Sequence, residues 1–241
     1  HTGLARVSWA GRCVYVTGSP TEAARWSVLA AGQGHAASMF HLAALYIEEK
    51  REDKEAESIE WLKKAVDLGR LDVRYYLASL YAAGLAVEQD YAEAERLIRP
   101  AADQGYPPAQ RLLGHILVSG AAGKPDYDEG VKLLNSAAAP GEATAQYYLS
   151  SMLFYGQGVD KDFVQAWKWL EASAEGGLAE AQAGMGRAYE NGFSMFAAKN
   201  KDEAAYWYKL AADQGHEEAA AALKRLAETP PPSPPIDAPQ A

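Results

Sequence analysis

The chain has 241 residues, 49% of them hydrophobic, and a formal net charge of −9 from 32 acidic and 23 basic side chains. The apolar share suffices for a buried core. The acidic balance argues against nucleic-acid binding and against docking on anionic membranes, both of which need clustered positive charge. The single cysteine, Cys13, excludes an internal disulfide.

In chain order, residues 1–18 come first and stand apart from the rest. Val7, Ala10, Val14 and Val16 in residues 4–18 fit either a degenerate first helix and loop of one more repeat or an irregular N-terminal cap. From residue 19 onward a unit recurs. Its marker is a glycine every 35 to 38 residues: Gly34, Gly69, Gly105, Gly141, Gly177 and Gly215. A fixed period in this range marks stacked repeats.

Each glycine is preceded by a predicted helix. Its start signal lies 15 residues upstream, at Ser19, Lys54, Asp90, Asp126, Asp162 and Asn200. Three residues later stand Glu22, Glu57, Glu93, Glu129, Gln165 and Glu203, which completes a capping box in every unit but the one with Lys54. There the neighbouring Asp53 is expected to cap instead. Small residues at −11 and −4, such as Ala94 and Ala101, let a neighbouring helix approach closely. Trp26, Trp61, Trp169 and Trp207 at −8 are expected to fill the core. The glycine itself suits the left-handed position just past a helix end.

A second predicted helix follows each glycine. Its core stripe runs through +4 (Ser38, Val73, Ala109, Ala145, Ala181, Ala219), +8 (Leu42, Leu77, Leu113, Leu149, Met185, Leu223) and +12 (Tyr46, Tyr81, Leu117, Leu153, Tyr189). Gly84, Gly120, Gly156 and Gly192 close it. The last such helix, Glu217 to Ala227, closes the stack, and residues 229–241 form a proline-rich tail that should be extended polyproline II. The tail is expected to dock on its own C-terminal repeats or on a neighbouring chain.

The pattern A-x-x-x-L-small-x-x-Y-x-x-G, then V-x-x-D-x-x-x-A-x-x-W-x-x-x-A-A-x-x-G, resembles the Sel-one-like repeat, a relative of the tetratricopeptide repeat. Residues 73–105 and 145–177 fit it best. The departures are a charged run in place of the glycine-rich loop at 47–54, an irregular loop at 121–125 and two extra residues within 193–200. The resemblance implies an all-α, right-handed α-solenoid of about six helix-turn-helix repeats with a closing C-terminal helix. The repeats occupy residues 19–228. It also implies a non-catalytic scaffold or adaptor, an accessory subunit of a periplasmic, envelope or secretion-linked bacterial complex. The alternative it carries is a cell-wall or β-lactam hydrolase built on the same repeats. The chain begins at His1 rather than Met, so any export signal would precede it.

Chemistry is sparse. The five histidines are His1, His35, His41, His115 and His216, and none pairs with a metal-ligand spacing such as H-E-x-x-H. The segment 120–125, Gly-Ala-Ala-Gly-Lys-Pro, lacks the Ser or Thr of a phosphate loop. No cofactor, metal or catalytic set is expected. A protein or peptide partner is expected instead, held in the groove lined by the helix that follows each glycine, as part of a hetero-complex. Off the core stripe, that helix offers Phe40, Tyr75, Arg111, His115, Tyr147, Tyr155, Arg187 and Asn191. Tyr75 and Tyr147 either pack on the next unit or bind. Arg111, His115 and Arg187 are expected to face solvent or ligand, since a buried unpaired charge is costly. Trp167 lies off the repeat stripe and is expected as a contact on the convex side.

Overall fold

The computed structural model describes residues 29–193 and 196–228. Residues 29–32 are helical, and eleven full helices follow. These are α1 (Ala36–Glu48), α2 (Glu55–Asp67), α3 (Leu71–Ala83), α4 (Tyr91–Asp103), α5 (Pro107–Ser119), α6 (Tyr127–Ala138), α7 (Ala143–Tyr155), α8 (Phe163–Glu175), α9 (Ala179–Asn191), α10 (Lys201–Asp213) and α11 (Glu217–Glu228). Each packs on the next in order, giving five helix pairs and a closing helix, an α-solenoid. Helices of 13 residues are marginal alone in water, so their stability comes from these contacts. Among the described residues the only extended pairing is one isolated bridge, Phe193 to Ala197. No helix there is long and apolar enough to cross a membrane.

The punctuation follows the sequence. Gly34, Gly69, Gly105, Gly141, Gly177 and Gly215 all have φ between 84° and 99° or close below, at 79° for Gly105, a region that suits only glycine well. Asp90, Asp126 and Asp162 each accept a hydrogen bond from the backbone N–H three residues on, and Asn200 accepts from the N–H groups of both Asp202 and Glu203. Lys54 caps nothing, and Asp53 does not replace it. A 3₁₀ turn at Glu52–Lys54 precedes α2, and the Asp53 carboxylate is held by Arg51 at 3.0 Å. Lys54 has ψ of −2°, whereas the true caps have ψ near 91° to 107°. Asp162→Ala is therefore expected to cost about 1 kcal/mol. Lys54→Ala should cost less than about 0.5 kcal/mol, a contrast that thermal melts of the two variants will check.

The core differs from expectation at −8 and at +12, where Tyr46, Tyr81, Leu153 and Tyr189 are half-buried and only Leu117 is buried. The described residues at −11 and at +4 are all buried, and so are those at −4 except Ala30, which is half-buried. The tryptophans at −8 are not the deepest layer: Trp61, Trp169 and Trp207 are only half-buried. One residue later, Leu62, Ile98 and Leu134 are fully buried and Tyr208 is 2% exposed. A helix squeezed between two neighbours hides more than one stripe, so −8 sits on the shoulder and −7 at the centre. In α11, Ala219, Ala222 and Leu226 are buried, Leu223 is half-buried, and Ala220 and Ala221 face out.

The first helices of successive pairs, α1, α3, α5, α7, α9 and α11, run in the same direction and form one wall. Arg225 near the end of α11 meets Glu190 near the end of α9, which shows the parallel alignment directly.

Candidate functional site

Along that wall, neighbouring first helices are tied by side chains. Phe40 on α1 meets Tyr76 on α3 edge-on, with ring centroids 5.3 Å apart. The Tyr75 hydroxyl on α3 accepts from Arg111 Nη2 on α5 at 2.8 Å. Arg111 Nε lies 3.1 Å from Glu142 Oε1, just before α7, and Glu142 also caps α7 by accepting from the Ala145 N–H. His115 on α5 stacks on Tyr148 of α7 at 4.7 Å. Each tie joins a residue at +6 or +10 of one first helix to a residue near the start of the next.

Arg111 and His115 are thus half-buried against the next repeat rather than turned fully to solvent. The Arg111 side chain is 19% exposed; it donates to Tyr75 through Nη2 and is paired in charge with Glu142, while Nε itself is buried without a hydrogen bond. A charge paired with a carboxylate and a hydroxyl needs no ligand to be tolerated inside. Burial, reinforced by the Arg111 charge, lowers the His115 pKa. A histidine whose folded pKa lies below its unfolded value takes up a proton more readily when unfolded. Stability therefore falls as pH drops from above the ordinary value, 6.5, through the lower folded value. Thermal melts between about pH 8 and 5 should show this loss, and His115→Gln should show a shallower one; equal slopes would contradict the assignment.

The ladder breaks between α7 and α9. At +6 and +7, where α3 carries Tyr75 and Tyr76 and α7 carries Tyr147 and Tyr148, α9 carries Ala183 and Gly184. No side chain there can reach back to α7, and a cleft of about 340 Å³ opens. Its walls are Tyr147, Ser151, Phe154 and Tyr155 from α7 and Arg187, Ala188 and Asn191 from α9. Its floor is Trp167 and Leu170 from α8, and Gly192 and Phe193 close the far end. Trp167 is therefore part of this cleft and not a convex-side contact. Four of the eight residues singled out in the sequence, Tyr147, Tyr155, Arg187 and Asn191, come together here; Phe40, Tyr75, Arg111 and His115 lie along the ladder instead. Trp167 and Phe193 were not among the expected groove residues, although Trp167 stands out from Ile59 and Val131 at the same repeat position.

The hydroxyl beneath the cleft belongs to the packing: Ser150 is buried and donates to the Ala166 carbonyl at 2.7 Å. Among the described residues the Ser–His contact is His35 with Ser38, and it is a helix cap: His35 Nδ1 accepts from the Ser38 N–H, and Ser38 is buried. His216 caps α11 in the same way through the Ala219 N–H. The described residues contain no cluster of three or more His, Cys, Asp or Glu able to hold a metal ion.

The model of the Sel1 repeat matches six consecutive segments: residues 2–35, 36–69, 72–106, 107–141, 143–178 and 179–216. The chain belongs to the Sel1 repeat family. The first matched segment takes in residues 4–18, which lie outside the described residues, as does the tail. Among solved structures, the Sel1 repeat chain is similar to a Sel1 repeat protein from Oxalobacter formigenes, at 29% identity and a TM-score of 0.77, over 90% of this chain and 88% of that one. It also shares its fold with c5321, a protective antigen present in uropathogenic Escherichia coli strains, at 24% identity and a TM-score of 0.60, over 90% of this chain and 55% of that one. The immunity protein Pa5087 from Pseudomonas aeruginosa shares the fold at 24% identity and a TM-score of 0.54, over 74% of this chain and 68% of that one. A search of curated proteins gives no match.

Proposed function

We propose that this Sel1 repeat chain is a non-catalytic protein-interaction scaffold that holds an extended segment of a partner in the cleft between α7 and α9. The observation that carries the reading is the break in the ladder. Every other described junction through α7 is filled by a pair of side chains from the protein itself, whereas at Ala183 and Gly184 the protein supplies none. The cleft walls supply what a peptide needs: flat aromatic surface from Tyr147, Phe154 and Trp167, and polar groups on Arg187 and Asn191. Tyr, Trp and Arg are the residues that dominate binding energy at interfaces. Arg187 is half exposed, and its nearest carboxylate, Glu218, stands 3.8 Å away, so the guanidinium is available to an acidic group of a ligand.

Repeat arrays of this kind commonly hold other proteins, and the envelope-linked hetero-complex implied by the resemblance is part of the proposal. Cell fractionation of the native host addresses the compartment. The test of the site itself is selection of peptides from a random display library against the full chain. Amide exchange should then show added protection at α7 and α9 with bound peptide. Protection elsewhere along the wall, with none at α7 or α9, would move the site.

A further inference from the structure

Four of the chain's five phenylalanines gather at one edge of this cleft: Phe154, Phe163, Phe193 and Phe196. Trp167 stacks on Phe193 at 6.0 Å and on Phe196 at 5.8 Å. Phe154 reaches Phe193 at 5.6 Å and Tyr155 at 5.0 Å. The cluster is open, with Tyr155 63% and Phe163 46% exposed. Contiguous exposed apolar surface of this kind marks a place where something lies. Tyr147, Tyr155 and Trp167 line the cleft, and their hydroxyls and indole N–H make no side-chain hydrogen bond to the described residues. Flat rings beside unused donors match one ligand geometry. A polyproline II strand has no internal hydrogen bonds, so it needs apolar slots for its prolines and donors for its carbonyls.

A proline-rich segment follows α11 in this sequence. Residues 229–241 carry Pro230, Pro231, Pro232, Pro234, Pro235 and Pro239, half of the chain's 12 prolines. The end of α11 lies near the end of α9, one wall of the cleft. Arg225 Nη2 donates to both carboxylate oxygens of Glu190, at 2.6 and 2.8 Å. Arg225 is three residues before Glu228, where α11 ends, and Glu190 is three residues before Phe193 at the end of the cleft. Thirteen residues at about 3.1 Å each extend to roughly 40 Å, far more than the two ring-to-ring steps across the cluster. Asp237 in the same segment supplies a carboxylate that Arg187 can take.

We propose that residues 229–241 dock in cis in the cleft as a polyproline II strand across Trp167, Phe154 and Tyr155, and compete there with the partner. The proposal rests on the reading of the cleft as a peptide site. Little conformational entropy is lost on docking a strand that is already extended, and tethering raises its effective concentration to the millimolar range.

The test is cysteine trapping in the full chain, on a Cys13→Ser background. Ser151→Cys in the cleft is paired with Ala238→Cys in the tail, and Lys209→Cys on the exposed face of α10 serves as the control. The expected result is a cross-link within one chain that forms at least ten-fold faster for the Ser151 pair. Tyr155→Ala, at an exposed site, should bring the rate down towards the control, as should an excess of synthetic peptide of sequence 229–241. Equal rates for the two pairs would overturn the proposal, and so would cross-links formed between two chains, which place the tail on a second copy. Failure of the tail alone is distinguishable. If trapping is absent while library-selected peptides still lose binding when the cleft is filled by Gly184→Tyr, only the tail assignment falls. If that substitution changes nothing, the cleft reading falls with it.

Discussion

Leu134→Ala is expected to lower the free energy of unfolding by about 3–5 kcal/mol, the upper part of the range for deleting a buried leucine. Leu134 is fully buried in α6. The size of the loss depends on whether the surroundings can collapse into the space, and here they cannot. A Cβ added to Gly114 on α5 would lie 2.9 Å from Leu134 Cγ and 3.0 Å from the Gly130 carbonyl on α6, so the two backbones are already at their closest approach. The helices have no closer position to move to, and the cavity stays. Leu133, the half-buried neighbour at −8, should cost only about 1–2 kcal/mol on the same change, since it forfeits less area. Urea denaturation of the two variants compares them. Equal losses would mean that −8, not −7, is the core layer.

The same pair of positions shows what the sequence made legible. The period, the closing glycines and the caps at Asp90, Asp126, Asp162 and Asn200 could all be read because each is a local requirement that recurs from unit to unit. A backbone turn with positive φ demands glycine wherever it occurs, and an orphaned N–H demands a short acceptor. The depth order of −8 and −7 was not read correctly. Tryptophan drew attention by its size, but size at a helix shoulder is compatible with half-burial. Leu62, Ile98, Leu134, Leu170 and Tyr208 at −7 are all large and apolar, so the signal was present. The caps of the first helices were invisible for another reason. His35, Glu142 and His216 are not the usual short acceptors, and only their placement shows the role.

The site was half legible. A charge such as Arg111 on an inner helix face is expected to meet solvent or a ligand only when its own helix is considered. That view leaves out a partner from the next repeat. Glu142 is 31 positions from Arg111 in the sequence, and no spacing within one helix announces such a pair. The cleft itself was written in the sequence as an omission, Ala183 and Gly184 where the earlier units carry large side chains. Omissions are easily passed over when candidate residues are sought by what they add. The aromatic cluster was hidden because Phe193 and Phe196 belong to the lengthened connection at 193–200, whose course no periodicity predicts.

Gly184→Tyr tests that omission directly, and its expected effects on stability and binding have opposite signs. It restores at α9 the residue type that α3 and α7 carry at +7. The Cβ has room, since its nearest neighbour is Leu170 Cδ1 at 3.3 Å, the far end of a flexible side chain. Replacing glycine inside a helix gains a few tenths of a kcal/mol from propensity alone, and burying the ring against Tyr147 and Trp167 adds about 1 kcal/mol more. The variant should therefore melt at the same temperature as the parent or a few degrees higher. The ring would occupy much of the 340 Å³ cleft and cover the face of Trp167. Peptides selected on the parent should then bind at least ten-fold more weakly, which corresponds to a loss of about 1.4 kcal/mol. Gly184→Ala adds only the Cβ and should retain binding, so a loss shared by both variants would point to a distorted α9 rather than to a filled site. A tyrosine variant that melts higher and binds as well as the parent would show that the gap between α7 and α9 is a packing fault with no ligand. The combination expected here, a more stable protein that no longer binds, is what a gap kept for a partner produces, because the stability forgone at Gly184 is recovered only when another chain supplies the missing side chains.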